Sequence, residues 1–468
     1  MGLVKLIDLL DSGKVSVDEI YNYYLQRIER IDPNLNSYIT VIKKPKRTGE
    51  LKGKLRGLPI AVKDIFSTEG IKTTAASIIL ENYTPTFSAT VVERILSEDG
   101  NIIGKTNLDE FCHGSSTETS CYGTVKNPWD LERSPGGSSG GSAAALMADL
   151  CAASIGTETA GSIRLPSSWC GAVGLKPTYG RVSRYGVLAM GSSLDSPGPI
   201  TKSVDDAAYL LSIIAGDDKN DFTTSKEPVN DYYEKLSPER VKNIRIGIPK
   251  EYIELDLEDG VREKFNESVS LLKRLGADIV DISLLDPKLA IAVYTIICRS
   301  EVSSNLSRYD GTRYGIGQEE AELLDEAYSK VRGKGFGIEA KRRIMTGTHA
   351  LSTFGIETYK KASEVRDLLT RDIVNVLENV DLIISPTTPN VAPVSGSAVD
   401  NPLFGEMADV LAETSSLAGL PAISIPVGYS EGLPVGLQII GNYFDEQTIL
   451  DIAKAYEREF NGMLFPEI

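Results

Sequence analysis

Histidine is almost missing from this chain: His113 and His349 are the two in 468 residues. Neither has an obvious carboxylate orienter in its surroundings, so the familiar serine–histidine–acid arrangement has no evident base here. Cysteine is scarce too. Cys112, Cys121, Cys151, Cys170 and Cys298 are an odd number with no paired metal-type spacing. That argues against a disulfide framework and a metal site, and reads as reduced thiols in a cytoplasmic protein. Cys170, in SWCGA, also lacks the GxCxG surroundings of an elbow nucleophile. No apolar run approaches the ~20 residues that span a bilayer. The opening MGLVKLIDLLDSGK has no cationic segment followed by a long apolar one, so no signal peptide is expected. Positive charge is in deficit, 49 Lys and Arg against 65 Asp and Glu, for a net charge of −16. Such a surface repels a bare phosphate backbone, and any nucleic acid is expected to be held mainly by another chain.

What remains is an ordinary globular composition, 41% hydrophobic and 24% charged, long enough for a large core. The first ~50 residues read as a helical segment. Ser16-Val17-Asp18-Glu19 has the form of a capping box, and Val17, Ile20, Tyr21, Tyr24, Leu25, Ile28 and Ile31 follow helix spacing until Asp32-Pro33. Short apolar strands then alternate with helical stretches: Gly57 to Val62 a strand, Ala89 to Leu96 a helix, Asn101 to Ile103 a strand. The alternation predicts an α/β layer structure. Residues 216–239 are polar and charged and read as an exposed connection. Strand-like text resumes at Asn243 to Ile248 and again at Ala422 to Pro426 and Val435 to Ile440.

The most unusual stretch is Arg133 to Leu146, RSPGGSSGGSAAAL. Glycine and serine in such density suggest a tether, but Ser142 to Ala148 is a strong helix former built from small residues. A tight glycine turn entering a closely packed helix fits better. Neither GxxxxGK[ST] nor GxGxxG is present, so a phosphate loop is not expected. Soon after comes GTETAGSIRLP, Gly156 to Pro166, where Thr159-Ala160-Gly161-Ser162 offers consecutive backbone N–H groups beside a serine. That pattern suits a nucleophile with an oxyanion site, or equally a turn with an incidental serine. With histidine scarce, a buried neutral lysine is the available base. Lys63 in PIAVKDIF and Lys105 in IIGKTN both end apolar strands, and local sequence does not choose between them.

Taken together, GLPIAVKDIF, GGSSGGSAAAL and GTETAGSIRLPSSWCGAVGLKPTYGRVS resemble the amidase signature family, and GLPAISIP with GLPVGLQIIG extends the likeness over nearly the whole chain. The resemblance implies a single domain over residues 1–468, an α/β fold whose mixed central sheet is covered by helices on both faces. It implies a Ser–cis-Ser–Lys triad: Ser162 as nucleophile, Ser138 as the bridging serine after a cis peptide, and Lys63 as general base. Backbone amides of Thr159, Ala160, Gly161 and Ser162 would form the oxyanion hole, and Ser139 would either support the proton relay or serve in capping or packing. The family usually has glycine where Ala160 stands, so a positive φ there would strain this loop.

Within the family, Tyr294-Thr295-Ile296-Ile297, SEVSSNLSRYDGTRYG, KGFGIEAKRRIMTGTHALS and Glu406-Met407-Ala408-Asp409 are similar to the glutaminase subunits of tRNA-dependent amidotransferases. Those enzymes convert Glu-tRNA(Gln) to Gln-tRNA(Gln), or Asp-tRNA(Asn) to Asn-tRNA(Asn). The similarity implies that Arg343 clamps the glutamine α-carboxylate and Asp409 its α-ammonium, with Tyr294 lining the pocket. It implies no cofactor and no metal in this chain, a B subunit that binds tRNA and activates its acceptor with ATP and Mg²⁺, and room for a small C subunit. The competing expectation is a free-standing amidase for small or aryl amides, sharing Lys63, Ser138 and Ser162 but needing no Arg343/Asp409 clamp.

Overall fold

The computed structural model describes residues 1–46, 51–317, 321–397, 403–460, 462 and 464–468. An eleven-stranded sheet runs through it. Its strands are β1 (Tyr38–Val41), β2 (Pro59–Lys63), β3 (Asn101–Thr106), β4 (Ala153–Glu158), β5 (Val173–Lys176) and β6 (Ser196–Thr201). The second half adds β7 (Arg245–Pro249), β8 (Asp278–Ile282), β9 (Leu382–Pro386), β10 (Ala422–Ser430) and β11 (Leu433–Ile440). The spatial order is β1-β3-β2-β4-β6-β5-β10-β11-β9-β7-β8. The sheet is mixed: β3, β2 and β4 are parallel, each pair from β4 across to β9 is antiparallel, and β9, β7 and β8 are parallel again. Helices flank it, as the alternating text predicts. β2, β4, β9 and β11 are buried at every position, and β2, with PIAV ahead of Lys63, reads as an apolar run rather than as alternation.

The N-terminal segment departs from expectation. The capping box is present, with Glu19 N donating to Ser16 Oγ at 3.2 Å and Ser16 N to Glu19 Oε2 at 2.8 Å. The helix Val17–Leu35 nevertheless runs through Pro33 and ends on Asn36 in the left-handed region, at φ 58°. Fully buried Leu35 and the Asp32 carboxylate, which accepts from Ser37 N at 2.8 Å, hold the last turn despite the missing Pro33 N–H. Residues 38–41 are not helical either: they pair with β3 as an edge strand of the sheet. Residues 47–50 of that expected helical segment lie outside the described residues.

The polar stretch 216–239 lies at the surface, a mixture of exposed and half-buried residues without strands, though Tyr232 within it is fully buried. The strands on either side of it, β6 and β7, belong to the same sheet. Among the described residues no helix is long and apolar enough to cross a membrane, and all five cysteines are free thiols.

Candidate active site

The glycine-serine run is not a tether. Ser138, Ser139 and Ser142 are fully buried, and so is the whole of the helix Gly140–Met147 that follows. Gly137 shows why the composition is required: a Cβ there would lie 2.2 Å from Asp109 Oδ2 and 2.7 Å from Ser116 N. The Gly137–Ser138 peptide is cis. This packing brings the serines beneath the C-terminal end of β2, where Lys63 sits fully buried.

Lys63 Nζ lies 2.7 Å from Ser138 Oγ, 2.9 Å from Ser139 Oγ and 3.0 Å from Thr157 Oγ1. Among the described residues no carboxylate pairs with it, and burial lowers its pKa below the usual 10.5, against the opposing pull of Cys112, Asp109 and Asp195. Lys105, indistinguishable from it in local sequence, has another task. Its Nζ donates to Asp64 Oδ1 at 2.8 Å, Phe66 O at 2.8 Å and Thr73 Oγ1 at 2.9 Å, a closed ion pair. The histidines are out of play as bases. His113 is fully buried with both ring nitrogens unpartnered among the described residues, and burial, then Arg343, pushes its pKa well below 6.5. His349 is exposed, bonded to Thr353 Oγ1 at 2.9 Å.

Ser162 follows β4 in the turn before the helix Arg164–Cys170, and its backbone carbonyl accepts from Ser139 N at 3.3 Å. Among the described residues its Oγ makes no hydrogen bond, so the contact to Ser138 expected from the resemblance is not formed here. The loop's carbonyls are pinned: Ala160 O accepts from Ser416 Oγ at 2.5 Å and Arg164 Nη2 at 3.1 Å, and Gly161 O from Leu165 N at 2.7 Å. The N–H groups of Ala160, Gly161 and Ser162 have no partner among the described residues, which leaves them available to an anion. Ala160 has no positive φ, so alanine fits this loop without the strain expected of it. Thr159 is tied down separately, its Oγ1 donating to Asp195 Oδ1 at 2.8 Å.

A narrow cavity opens beside Ser162, and its walls also include Cys112, Ser115, Tyr294, Arg343, Asp409 and Glu413. All three residues expected to bind substrate therefore face one space. Arg343 is 6% exposed while its neighbour Arg342 lies on the outer face of the helix Ile338–Thr353. Arg343 donates through Nε to Glu339 Oε1 at 2.7 Å. Burial opposes ionisation of Glu339, but Arg342 and Arg343 hold it down to about 2. Asp409, at the end of the helix Phe404–Asp409, accepts from Ser115 Oγ at 3.0 Å through Oδ2. Burial pushes its pKa up to about 8. Glu413 was not singled out by motif. The signal available was spacing, since Glu406, Asp409 and Glu413 recur at i, i+3 and i+7, the pattern of one helical face, although in the structure Glu413 begins a separate helix after a turn.

A family model described as Amidase matches residues 19–450. The chain belongs to the amidase family. It is 48% identical to the A-subunit of glutamyl-tRNA(Gln) amidotransferase from Caldanaerobacter subterraneus subsp. tengcongensis, over 97% of this chain and 96% of that one. The crystal structure of the corresponding glutamyl-tRNA(Gln) amidotransferase A-subunit from Thermotoga maritima superposes with a TM-score of 0.84 at 40% identity, covering 97% and 98% of the two chains. The native peptide amidase of Stenotrophomonas maltophilia, another amidase, superposes with a TM-score of 0.83 at 28% identity over 100% and 98%. The shared fold thus extends across enzymes of different substrate, and the cavity has to distinguish them.

Proposed function

We propose that this chain is the glutaminase subunit of a tRNA-dependent amidotransferase, cleaving glutamine to glutamate and ammonia. The observation that carries the reading is a single cavity in which one buried cation, Arg343, and one buried carboxylate, Asp409, flank Ser162. A free amino acid presents one anion and one cation, and recognising it takes the complementary pair. A simple amide needs neither. The near-full-length likeness to amidotransferase A-subunits supports the same substrate.

In the chemistry proposed, Ser138 O–H donates to the lone pair of neutral Lys63 across their 2.7 Å contact. Ser162 rotates onto Ser138 and passes it its proton as Ser138 hands its own to Lys63, and the Ser162 Oγ bonds to the side-chain amide carbon of glutamine. The carbonyl π pair moves to oxygen, which the free N–H groups of the 160–162 turn receive. Collapse expels the amine, protonated through the same relay, as ammonia, and leaves a glutamyl ester on Ser162. Water then attacks the ester with Lys63 and Ser138 again taking the proton, the ester C–O bond breaks as the relay returns that proton to Ser162 Oγ, and glutamate departs. Ammonia passes to a partner protein that holds the tRNA and activates Glu-tRNA(Gln) with ATP and Mg²⁺. The net charge of −16 fits a chain that leaves tRNA binding to its partner in the cytoplasm.

The test is a pull-down from native extract followed by a glutaminase assay. Recovery of a larger partner, with glutamine cleavage stimulated by tRNA and abolished by Ser162→Ala, is expected. Cleavage of simple amides with an Arg343→Ala variant showing an unchanged KM for glutamine would falsify the clamp and favour a free-standing amidase.

A further inference from the structure

Glu413 stands in the cavity with no task among the roles just given. It is 1% exposed, begins the short helix Glu413–Leu417, and neither carboxylate oxygen has a hydrogen-bond partner among the described residues. A buried carboxylate is ordinarily paired or hydrogen-bonded, because desolvation without compensation is costly. The neighbouring acids differ in this respect. Glu406 is neutralised by Arg299, whose Nη2 donates to Oε1 at 2.6 Å. Asp409 spends Oδ2 on Ser115, while its Oδ1 finds no partner among the described residues. That oxygen is pressed against the nucleophile loop, since a Cβ on Gly161 would lie 2.1 Å from it.

The cavity therefore holds unpartnered oxygens from two carboxylates, Asp409 Oδ1 and both oxygens of Glu413. A primary ammonium group carries three N–H donors and a positive charge. We propose that Glu413 and Asp409 together receive the α-ammonium of glutamine, and that Glu413 is the residue that selects an amino-acid amide over the same amide lacking its amino group. The proposal rests on the glutaminase reading and adds a residue to it. It also accounts for the burial of two acids side by side. Glu413 is raised well above the carboxylate range by burial, then by Asp409 and Glu406, with Arg343 opposing. Protons held by this pair are displaced by an arriving ammonium, and the like-charge cost falls when the ligand is bound.

The experiment compares glutamine with 4-carbamoylbutanoate, which keeps the amide and the carboxylate and lacks the amino group. Both are assayed with the full chain assembled with its partner proteins. Losing a charge-assisted contact raises KM for glutamine roughly ten-fold or more in Glu413→Gln, while kcat/KM for the deamino substrate stays within about two-fold. The deamino activity doubles as the control for folding. Glu413→Asp, which keeps the charge, retains more of the preference for glutamine than Glu413→Gln. An unchanged glutamine preference in Glu413→Gln overturns the proposal and leaves the glutaminase reading standing. Should Glu413→Gln lose both activities, Glu413→Asp decides: a preserved preference supports the charge, a lost one overturns it. Failure of the wild-type assembly to cleave glutamine while it cleaves other amides removes the glutaminase reading itself, and this proposal with it.

Discussion

Arg164 Nε donates to Glu158 Oε1 at 2.8 Å, and these two fully buried side chains hold between them the turn that carries Ser162. Glu158 Oε2 accepts from the N–H groups of Ile163 and Arg164, both at 3.0 Å, so it also closes the start of the following helix. Arg164 continues outward to Ala412 O at 3.0 Å and Gln438 Oε1 at 2.7 Å. The Ser162 loop and the acid-bearing segment are thereby fixed to one guanidinium. Truncating one partner of such a pair leaves the other charge buried and alone, at about 3–5 kcal/mol. Arg164→Met is expected to lose stability of that order, read as a fall in thermal unfolding midpoint. Its glutaminase kcat should fall as well, since Ala160 O then keeps Ser416 but loses the guanidinium.

Lys63 acts in its neutral form on the mechanism above, which makes a charged substitute informative. Lys63→Arg cannot deprotonate, and its kcat is expected to fall roughly 10²–10⁴-fold, as in Lys63→Ala. The wild-type pH profile has a definite sign. Burial holds the Lys63 pKa below 10.5, so the active neutral fraction grows as pH rises through that depressed value. The same shift acts on stability. The unfolded chain binds a proton that the folded one has shed, so the contribution is present above 10.5 and is lost as pH falls through the folded pKa. Lys63→Met is expected to flatten that part of the stability–pH curve in denaturant titrations.

How far the site was legible in sequence depended on whether a residue's role was local. Ser138, Ser162 and Lys63 stand in long motifs, and the structure brings Lys63 to Ser138 as the resemblance implies. Lys63 and Lys105 could not be separated by reading alone. Both end buried strands, and only the fold puts Asp64 beside Lys105 and serines beside Lys63. Arg342 and Arg343 are adjacent in sequence, yet the helix turns one outward and the other into the cavity. Their difference lies in the register of that helix against the helix Pro287–Asn305, which no local pattern states. The strand Tyr38–Val41 was hidden for a similar reason: four residues carry little periodicity, and pairing with β3 makes them a strand.

Gly137 offers a test of packing apart from chemistry. The methyl group of Gly137→Ala would meet Asp109 Oδ2 at 2.2 Å and the backbone N of Ser116 at 2.7 Å, and neither is the end of a flexible chain. Asp109 is itself held by Thr117 N at 2.9 Å and Thr119 Oγ1 at 2.9 Å. Overpacking of this kind costs about 1–3 kcal/mol. The variant is expected to show a lowered unfolding midpoint together with reduced kcat, because Ser138 is the next residue. A variant of wild-type stability and activity would mean that the loop has slack the packing does not suggest.

If Asp409 receives the ammonium as proposed, it couples substrate affinity to pH, and the sign follows from its surroundings. Burial raises it from 3.8 to about 8; Ser115 lowers it, Glu158 and Glu406 raise it, and Arg164 opposes them. Glu413, raised in its turn, faces the same space. Between 3.8 and about 8 the folded chain retains a proton that the unfolded chain has released. Stability from this group is therefore complete below 3.8 and declines as pH rises through about 8. Glutamine binding runs the other way. Its ammonium needs the ionised carboxylate, so KM for glutamine should fall as pH climbs from 6 toward 8, by about ten-fold per unit at most for a single proton. Asp409→Asn is expected to weaken that trend, leaving the part carried by Glu413, and to raise KM at every pH while flattening the stability curve. A KM for glutamine that stays level with pH in the wild type, and is unmoved by Asp409→Asn, would place the ammonium elsewhere in the cavity.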